Sequence, residues 1–175
     1  SVLRLLSLCA ALTDAHAAVE VGSHGGSTGL ALFEGMAADG VLTSVEPDPE
    51  RLRVAKEACT AAEITPARTR LIAADPHDVL SRLTDGHYDI VLCDGDKQEY
   101  PDYLAEAQRL LRPGGVVIFG NALWHDRVAD PSQRDPSTVA IRELGKAVAE
   151  SESLVPVLLP VSDGLLCAKK VWTSD

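Results

Sequence analysis

The chain has 175 residues, 46% of them hydrophobic and 24% charged, and a net charge of −10. That length suggests one domain, and a domain of this size buries roughly 70% of its unfolded surface. So acidic a surface repels nucleic acid and anionic membranes, and no apolar run reaches the roughly 18 residues that span a bilayer, so neither is expected as a partner.

The first element is an amphipathic helix over 2–13. Residues 3–15 (LRLLSLCAALTDA) have the look of a signal-peptide core, but no basic leading segment or Ala-x-Ala cleavage site accompanies them. Short apolar runs then alternate with helical patterns. Strands are expected near Ala18–Val21, Val41–Val45, Thr69–Ala73, Asp89–Cys93, Val116–Phe119, Val155–Pro160 and Leu165–Val171. Helices are expected over 27–38, 48–62, 76–84, 100–111 and 136–151. Pro113-Gly114-Gly115 breaks the helix ending at Leu111, and Ser162-Asp163-Gly164 reads as a hairpin turn that makes the last two strands antiparallel. The alternation implies an α/β fold, a mostly parallel sheet with helices on both faces. Cys9, Cys59, Cys93 and Cys167 form no CxxC pair and lie in apolar or helical runs. They read as buried free thiols, which fits a reducing cytoplasm.

Ligands of open α/β sheets bind beyond the C-terminal ends of the strands, so those ends hold the candidate chemistry. Glu20-Val21-Gly22-Ser23-His24-Gly25-Gly26-Ser27-Thr28 joins the first strand to the next helix. Its glycines allow a tight turn and close approach of a ligand to a helix N-terminus, or the segment is an ordinary capped βα turn. The dinucleotide fingerprint GxGxxG is not met, because His24 stands at its second glycine. A nicotinamide dehydrogenase also lacks support from any Tyr-x-x-x-Lys pair. Glu46 ends the second strand at the spacing where a carboxylate grips ribose hydroxyls, or it is a surface acid before the next helix. Asp75 borders the base of a nucleoside or caps the helix at Pro76.

Asp94-Gly95-Asp96-Lys97-Gln98-Glu99-Tyr100 directly follows the apolar run Ile90-Val91-Leu92-Cys93, so two carboxylates and an ammonium crowd one strand end. Asp94 and Asn121 fall on neighbouring strand ends, where oxygen ligands could share a hard cation. Lys97 is a general-base candidate or a salt-bridged lysine. His16, His77 and His87 read as surface loop residues, and His125 is a minor candidate on the loop after Asn121.

These residues resemble the small S-adenosylmethionine-dependent O-methyltransferases of the catechol and caffeoyl-CoA type. The matching motifs are Glu20-Val21-Gly22-Ser23, Asp94-Gly95-Asp96-Lys97 with Tyr100 and Tyr103, Leu111-Arg112-Pro113-Gly114-Gly115, and Gly120-Asn121-Ala122-Leu123-Trp124. The resemblance covers essentially the whole chain and implies a Rossmann-like class I methyltransferase fold, a seven-stranded sheet with an antiparallel last strand. It implies that Glu20, Gly22, Ser23, Thr28, Glu46, Asp75 and Asp96 bind S-adenosylmethionine. It further implies that Asp94 and Asn121 hold Mg²⁺ and substrate, that Lys97 takes the acceptor's proton, that the acceptor is a small hydroxylated aromatic, and that the protein is a homodimer. Residues 1–175 are then one methyltransferase domain, lacking the N-terminal segment with which family members cover cofactor and acceptor.

Two departures stand out. Gly120 takes the place of the family's second metal carboxylate, and His24 replaces a small or apolar residue in the Gly-rich turn. The first weakens the expected metal site and leaves two alternatives: a metal-poor or metal-independent methyltransferase in which His24 or His125 helps Lys97, and a cofactor-binding protein that has lost catalysis.

Overall fold

The computed structural model describes residues 1–174. Its frame is a seven-stranded sheet in the order β3-β2-β1-β4-β5-β7-β6. The strands are β1 (Ala17–Val21), β2 (Val41–Val45), β3 (Thr69–Ile72), β4 (Tyr88–Cys93), β5 (Leu111–Gly120), β6 (Leu154–Leu159) and β7 (Leu165–Lys170). β1 to β5 pair in parallel, and β7 runs antiparallel to both β5 and β6. The helices are α1 (Val2–Leu12), α2 (Ser27–Gly35), α3 (Pro49–Ala61), α4 (Pro76–Leu80), α5 (Tyr100–Leu110) and α6 (Pro136–Glu150). The expected Rossmann-like fold is thus present.

Two apolar layers follow from strand alternation, since successive side chains point to opposite faces. Val19, Val21, Val91, Cys93, Val117 and Phe119 pack against α4, α5 and α6 through Leu80, Leu104, Leu110 and Leu144. Ala18, Ile90, Leu92 and Ile118 face the other way, onto Leu6 and Ala10 of α1, Leu32 of α2 and Cys59 of α3. β4 is buried along its whole length, which is why its sequence reads as an unbroken apolar run.

Three helices start alike, on an Asp-Pro pair. Asp48, Asp75 and Asp135 each accept a backbone N–H from the first turn, and the following proline occupies a position whose N–H has no helical partner. All four cysteines are unbridged, with Cys9 only partly buried.

The structure corrects three boundaries by more than a couple of residues. α2 ends at Gly35, not 38, because the backbone of Met36 is extended. β5 begins at Leu111, not Val116, because Leu111 already pairs with Tyr88 and a register shift between Tyr88 and Ile90 absorbs Pro113-Gly114-Gly115. α4 ends at Leu80, where turn-type bonds from Arg82 and Leu83 replace the helix expected to 84. Among the described residues no helix is long and apolar enough to cross a membrane.

Candidate functional site

The order of strands reverses between β1 and β4, and the crevice beyond their C-terminal ends opens into two adjoining cavities. The first, of about 750 Å³, is lined by Gly22, His24, Glu46, Asp48, Asp94 and Asp96, among others. The second, of about 350 Å³, lies between the start of α1, the Gly-rich turn and the β6–β7 hairpin; Thr28, Asn121 and Asp163 line it. Both volumes suit small molecules. His24 and Asp94 are the residues common to the two linings. A further hollow of about 500 Å³ between α3 and β3 shares no lining residue with these two and gathers no opposing charges.

The floor between the cavities is held by backbone. Gly22 donates to the carbonyl of Val45, and Asp94 donates to that of Val21, so the ends of β2, β1 and β4 are tied together. Gly22 has φ +91°, and a Cβ there would stand 2.7 Å from the Asp94 carbonyl oxygen. Only glycine fits so close an approach.

Glu46 is buried at the edge of the first cavity. Ser23 donates to its Oε2 from the amide at 3.1 Å and from the hydroxyl at 3.2 Å, and the amide of Asp48 donates to Oε1 at 3.1 Å. A carboxylate offers about four lone-pair sites, so capacity remains for ligand hydroxyls. Ser23 itself is fully buried and serves Glu46.

Asp94 is the centre of the site. His24 Nε2 donates to its Oδ2 at 2.8 Å, and Lys97 Nζ donates to its Oδ1 at 2.9 Å. Burial pushes the Asp94 carboxyl up, but the His24 hydrogen bond and the Lys97 charge outweigh it and leave the group below the usual carboxylate range. The same bond raises His24 above an ordinary histidine, against the opposing effect of its partial burial. Nδ1 of His24 has no hydrogen-bond partner among the described residues. Lys97 is 9% exposed, also donates to the Gly95 carbonyl at 3.0 Å, and sits over the rings of Tyr100 and Trp124. It lines neither cavity. Of His24 and Lys97, it is His24 that borders both, a residue the sequence offered as a departure and as a helper to Lys97.

Gly120 explains how Asp94 reaches this position. A Cβ at Gly120 would lie 2.8 Å from Asp94 Cγ and 2.9 Å from each carboxylate oxygen. The carboxylate therefore leans into the volume that any side chain at position 120 would fill. Tyr100 locks the surroundings by donating its hydroxyl to the Gly120 carbonyl at 2.7 Å.

Asn121 does not turn toward Asp94 for a shared task. Its amide donates to Asp163 Oδ2 at 3.1 Å, while the backbone of His125 donates to Asp163 Oδ1 at 2.7 Å. Asn121, Trp124, His125 and Asp126 all have φ between +49° and +62°, a strained run for non-glycine residues. Asp163 and the bonds from Ala122 and Leu123 to the hairpin hold that strain. Asp163 was legible only as part of a turn, and nothing in its spacing pointed to Asn121.

The remaining candidates have structural partners. Glu20 is buried beneath the turn and accepts from Thr28 Oγ1 and Ser44 Oγ, each at 2.7 Å. Asp75 is exposed, caps α4 by accepting from His77, and lines neither cavity. Asp96 caps the turn over 97–99 and borders the first cavity.

The residues at Asp94 do not fit a divalent cation. One Asp94 oxygen accepts from the Lys97 ammonium, which balances its charge, and the other from His24; Gly120 supplies no ligand, and Asn121 turns its amide N–H groups toward Asp163. Among the described residues the one place where three His, Cys, Asp or Glu ligand atoms lie within 4.8 Å of one another is His77, Glu99 and Asp102, at the starts of α4 and α5. There His77 Nε2 already donates to Glu99 at 2.6 Å, an ion pair at the surface.

The O-methyltransferase family profile matches residues 3–171. A protein of Mycobacterium ulcerans (strain Agy99) named as an O-methyltransferase is 48% identical over 164 residues, which are 94% of this chain and 73% of its own length. Among solved structures, a Corynebacterium glutamicum protein superposes with a TM-score of 0.92 at 28% identity, covering 99% of this chain and 82% of its own. The O-methyltransferase TomG of Streptomyces achromogenes, in complex with S-adenosylmethionine and involved in tomaymycin synthesis, gives a TM-score of 0.85 at 25% identity. That superposition covers 97% of this chain and 79% of TomG.

Proposed function

The chain belongs to the O-methyltransferase family and uses S-adenosylmethionine, and we propose that it methylates a hydroxyl of a small aromatic, catechol-like acceptor. The cofactor occupies the larger cavity, with Glu46 accepting from its ribose hydroxyls and Gly22 and Asp96 beside it. The acceptor occupies the smaller cavity, between His24 and the strained segment at Asn121. The observation that carries this reading is that His24 and Asp94 line both cavities, so the two ligands meet there.

S-adenosylmethionine supplies a methyl group on a sulfonium centre. The acceptor oxygen attacks the methyl carbon, its O–H proton passes to Nδ1 of His24, and the bonding pair of the broken C–S bond stays on sulfur. Asp94 holds the imidazole by its other nitrogen and stabilises the imidazolium, as a buried carboxylate does for a histidine base. Lys97 keeps Asp94 ionised and in place. The proton then leaves to solvent, since the His24 side chain is 45% exposed.

Methyl transfer from labelled S-adenosylmethionine to a panel of catechols and monohydroxylated aromatics tests the acceptor class. Turnover on at least one vicinal diol is expected. No transfer to any hydroxylated aromatic defeats the acceptor assignment. Replacing Glu46 with Ala is expected to weaken S-adenosylhomocysteine binding by about 10- to 100-fold, the size of a hydrogen bond to a charged group. Unchanged affinity in calorimetric titration removes Glu46 from the cofactor site.

A further inference from the structure

We propose that this methyltransferase site is built to work without a divalent cation. His24 and Lys97 hold the two oxygens of Asp94, and Gly120 gives the carboxylate room to meet them. The inference uses the O-methyltransferase reading only to say what the site does; the occupancy of Asp94 stands apart from it.

The argument begins with charge. A hard cation of this kind is bound by carboxylate, carbonyl and water oxygens, and its affinity grows with ligand charge. At Asp94 a single carboxylate is already compensated by the Lys97 ammonium at 2.9 Å and bonded by His24 at 2.8 Å. An arriving ion meets a carboxylate whose charge is already balanced, and a buried ammonium faces it across a short distance. Lys97 has little freedom to withdraw, because it is 9% exposed and boxed by Tyr100 and Trp124. Asp163 is oriented by other work, since its two oxygens accept from the Asn121 amide and the backbone N–H of His125.

Geometry links the two departures. The Gly120 Cβ position lies within 2.9 Å of three Asp94 carboxyl atoms, so a carboxylate at 120 and the observed Asp94 conformation exclude each other. Restoring a side chain at 120 pushes Asp94 away and breaks its contact with His24. His24 in turn has a φ of +43°, an uncommon backbone for a non-glycine residue, and there its ring reaches Asp94. Gly120 and His24 are therefore one arrangement: the glycine empties a volume, Asp94 leans into it, and the imidazole closes over the carboxylate. The His24 side chain borders both cavities, where an ion would otherwise hold the acceptor oxygens.

The test is a Mn²⁺ titration followed by electron paramagnetic resonance, on the protein saturated with S-adenosylhomocysteine. It needs no turnover, so a failed search for acceptors leaves it intact. Wild type is expected to show no saturable Mn²⁺ binding at Asp94 below roughly 1 mM, the weak end of protein oxygen sites. Saturable binding in the micromolar range that Asp94→Asn abolishes overturns the proposal. Saturable binding that survives Asp94→Asn lies elsewhere, with His77, Glu99 and Asp102 the first candidates, and upholds it. The double variant His24→Ser/Gly120→Asp is expected to bind Mn²⁺ at least about 10-fold tighter than wild type, with each single variant gaining less. If Gly120→Asp alone gains as much as the double variant, His24 plays no part in excluding the ion and the linkage fails. Should the double variant not fold, the wild-type and Asp94→Asn titrations still decide the main claim.

Discussion

His24→Gln lowers kcat for catechol methylation by about 10²- to 10⁴-fold, the usual worth of a positioned general base, with little change in affinity for S-adenosylhomocysteine. Gln can still donate a hydrogen bond toward Asp94, so the variant removes proton acceptance while sparing most of the local packing. The pH profile separates this role from a structural one. Asp94 raises the pKa of His24 by hydrogen bonding to the charged imidazolium, more than partial burial lowers it. The neutral imidazole is the active form. Wild-type kcat is therefore expected to rise with pH through a midpoint above the ordinary histidine value of about 6.5 and then level off. The Gln variant lacks that limb. Asp94→Asn shifts the limb down, because the largest effect raising the pKa is lost.

The competing assignment gives the proton to Lys97. It predicts the reverse: Lys97→Met abolishes turnover, His24→Gln is mild, and any rising limb belongs to an amine. The geometry opposes it. Lys97 Nζ is engaged by Asp94 and by the Gly95 carbonyl and borders neither cavity, whereas His24 borders both. A mild effect of His24→Gln together with a dead Lys97→Met would reverse the roles assigned here.

The fold was legible because its signals are local. The unbroken apolar run of β4 is what a strand buried on both faces needs, and Asp75 before Pro76 marked the start of α4. β5 was less legible, since Pro113-Gly114-Gly115 is a breaker by composition and only its pairing with β4 makes it strand. In the site, strand-end position alone singled out Glu46, Asp94 and Asn121. Their partners were hidden, because a contact such as Asn121 with Asp163 spans 42 residues and depends on how the β6–β7 hairpin folds back. Which of His24 and Lys97 faces the ligands depends on side-chain direction, which no spacing encodes. Gly120 read as a loss of charge, while the structure shows a volume that Asp94 uses.

Glu20→Gln is expected to stabilise the protein above neutral pH and to flatten its pH dependence. Glu20 lies at the end of β1 with 1% exposure, and its two oxygens accept from Thr28 on α2 and Ser44 on β2. It thereby fastens the Gly-rich turn to two neighbouring elements. Burial pushes its carboxyl up to about 7, although the hydroxyl bonds from Ser44 and Thr28 pull the other way. An unfolded glutamate titrates near 4.3, so between about pH 4.3 and 7 the folded state keeps a proton that the unfolded state gives up. Stability must therefore fall as pH rises through that window, by roughly 4 kcal/mol in all at about 1.4 kcal/mol per pH unit. Gln is neutral throughout and can accept from one hydroxyl while donating to the other, so it keeps the fastening without the buried charge. Denaturant unfolding of wild type and variant at pH 5 and pH 8 reads the effect as a difference of differences. The variant's advantage should be small at pH 5 and approach that size at pH 8. An equal offset at both pH values shows that Glu20 is not a titrating buried acid. A gain in stability with S-adenosylhomocysteine affinity retained identifies Glu20 as a support of the turn; a sharp loss of affinity returns it to the cofactor's own contacts.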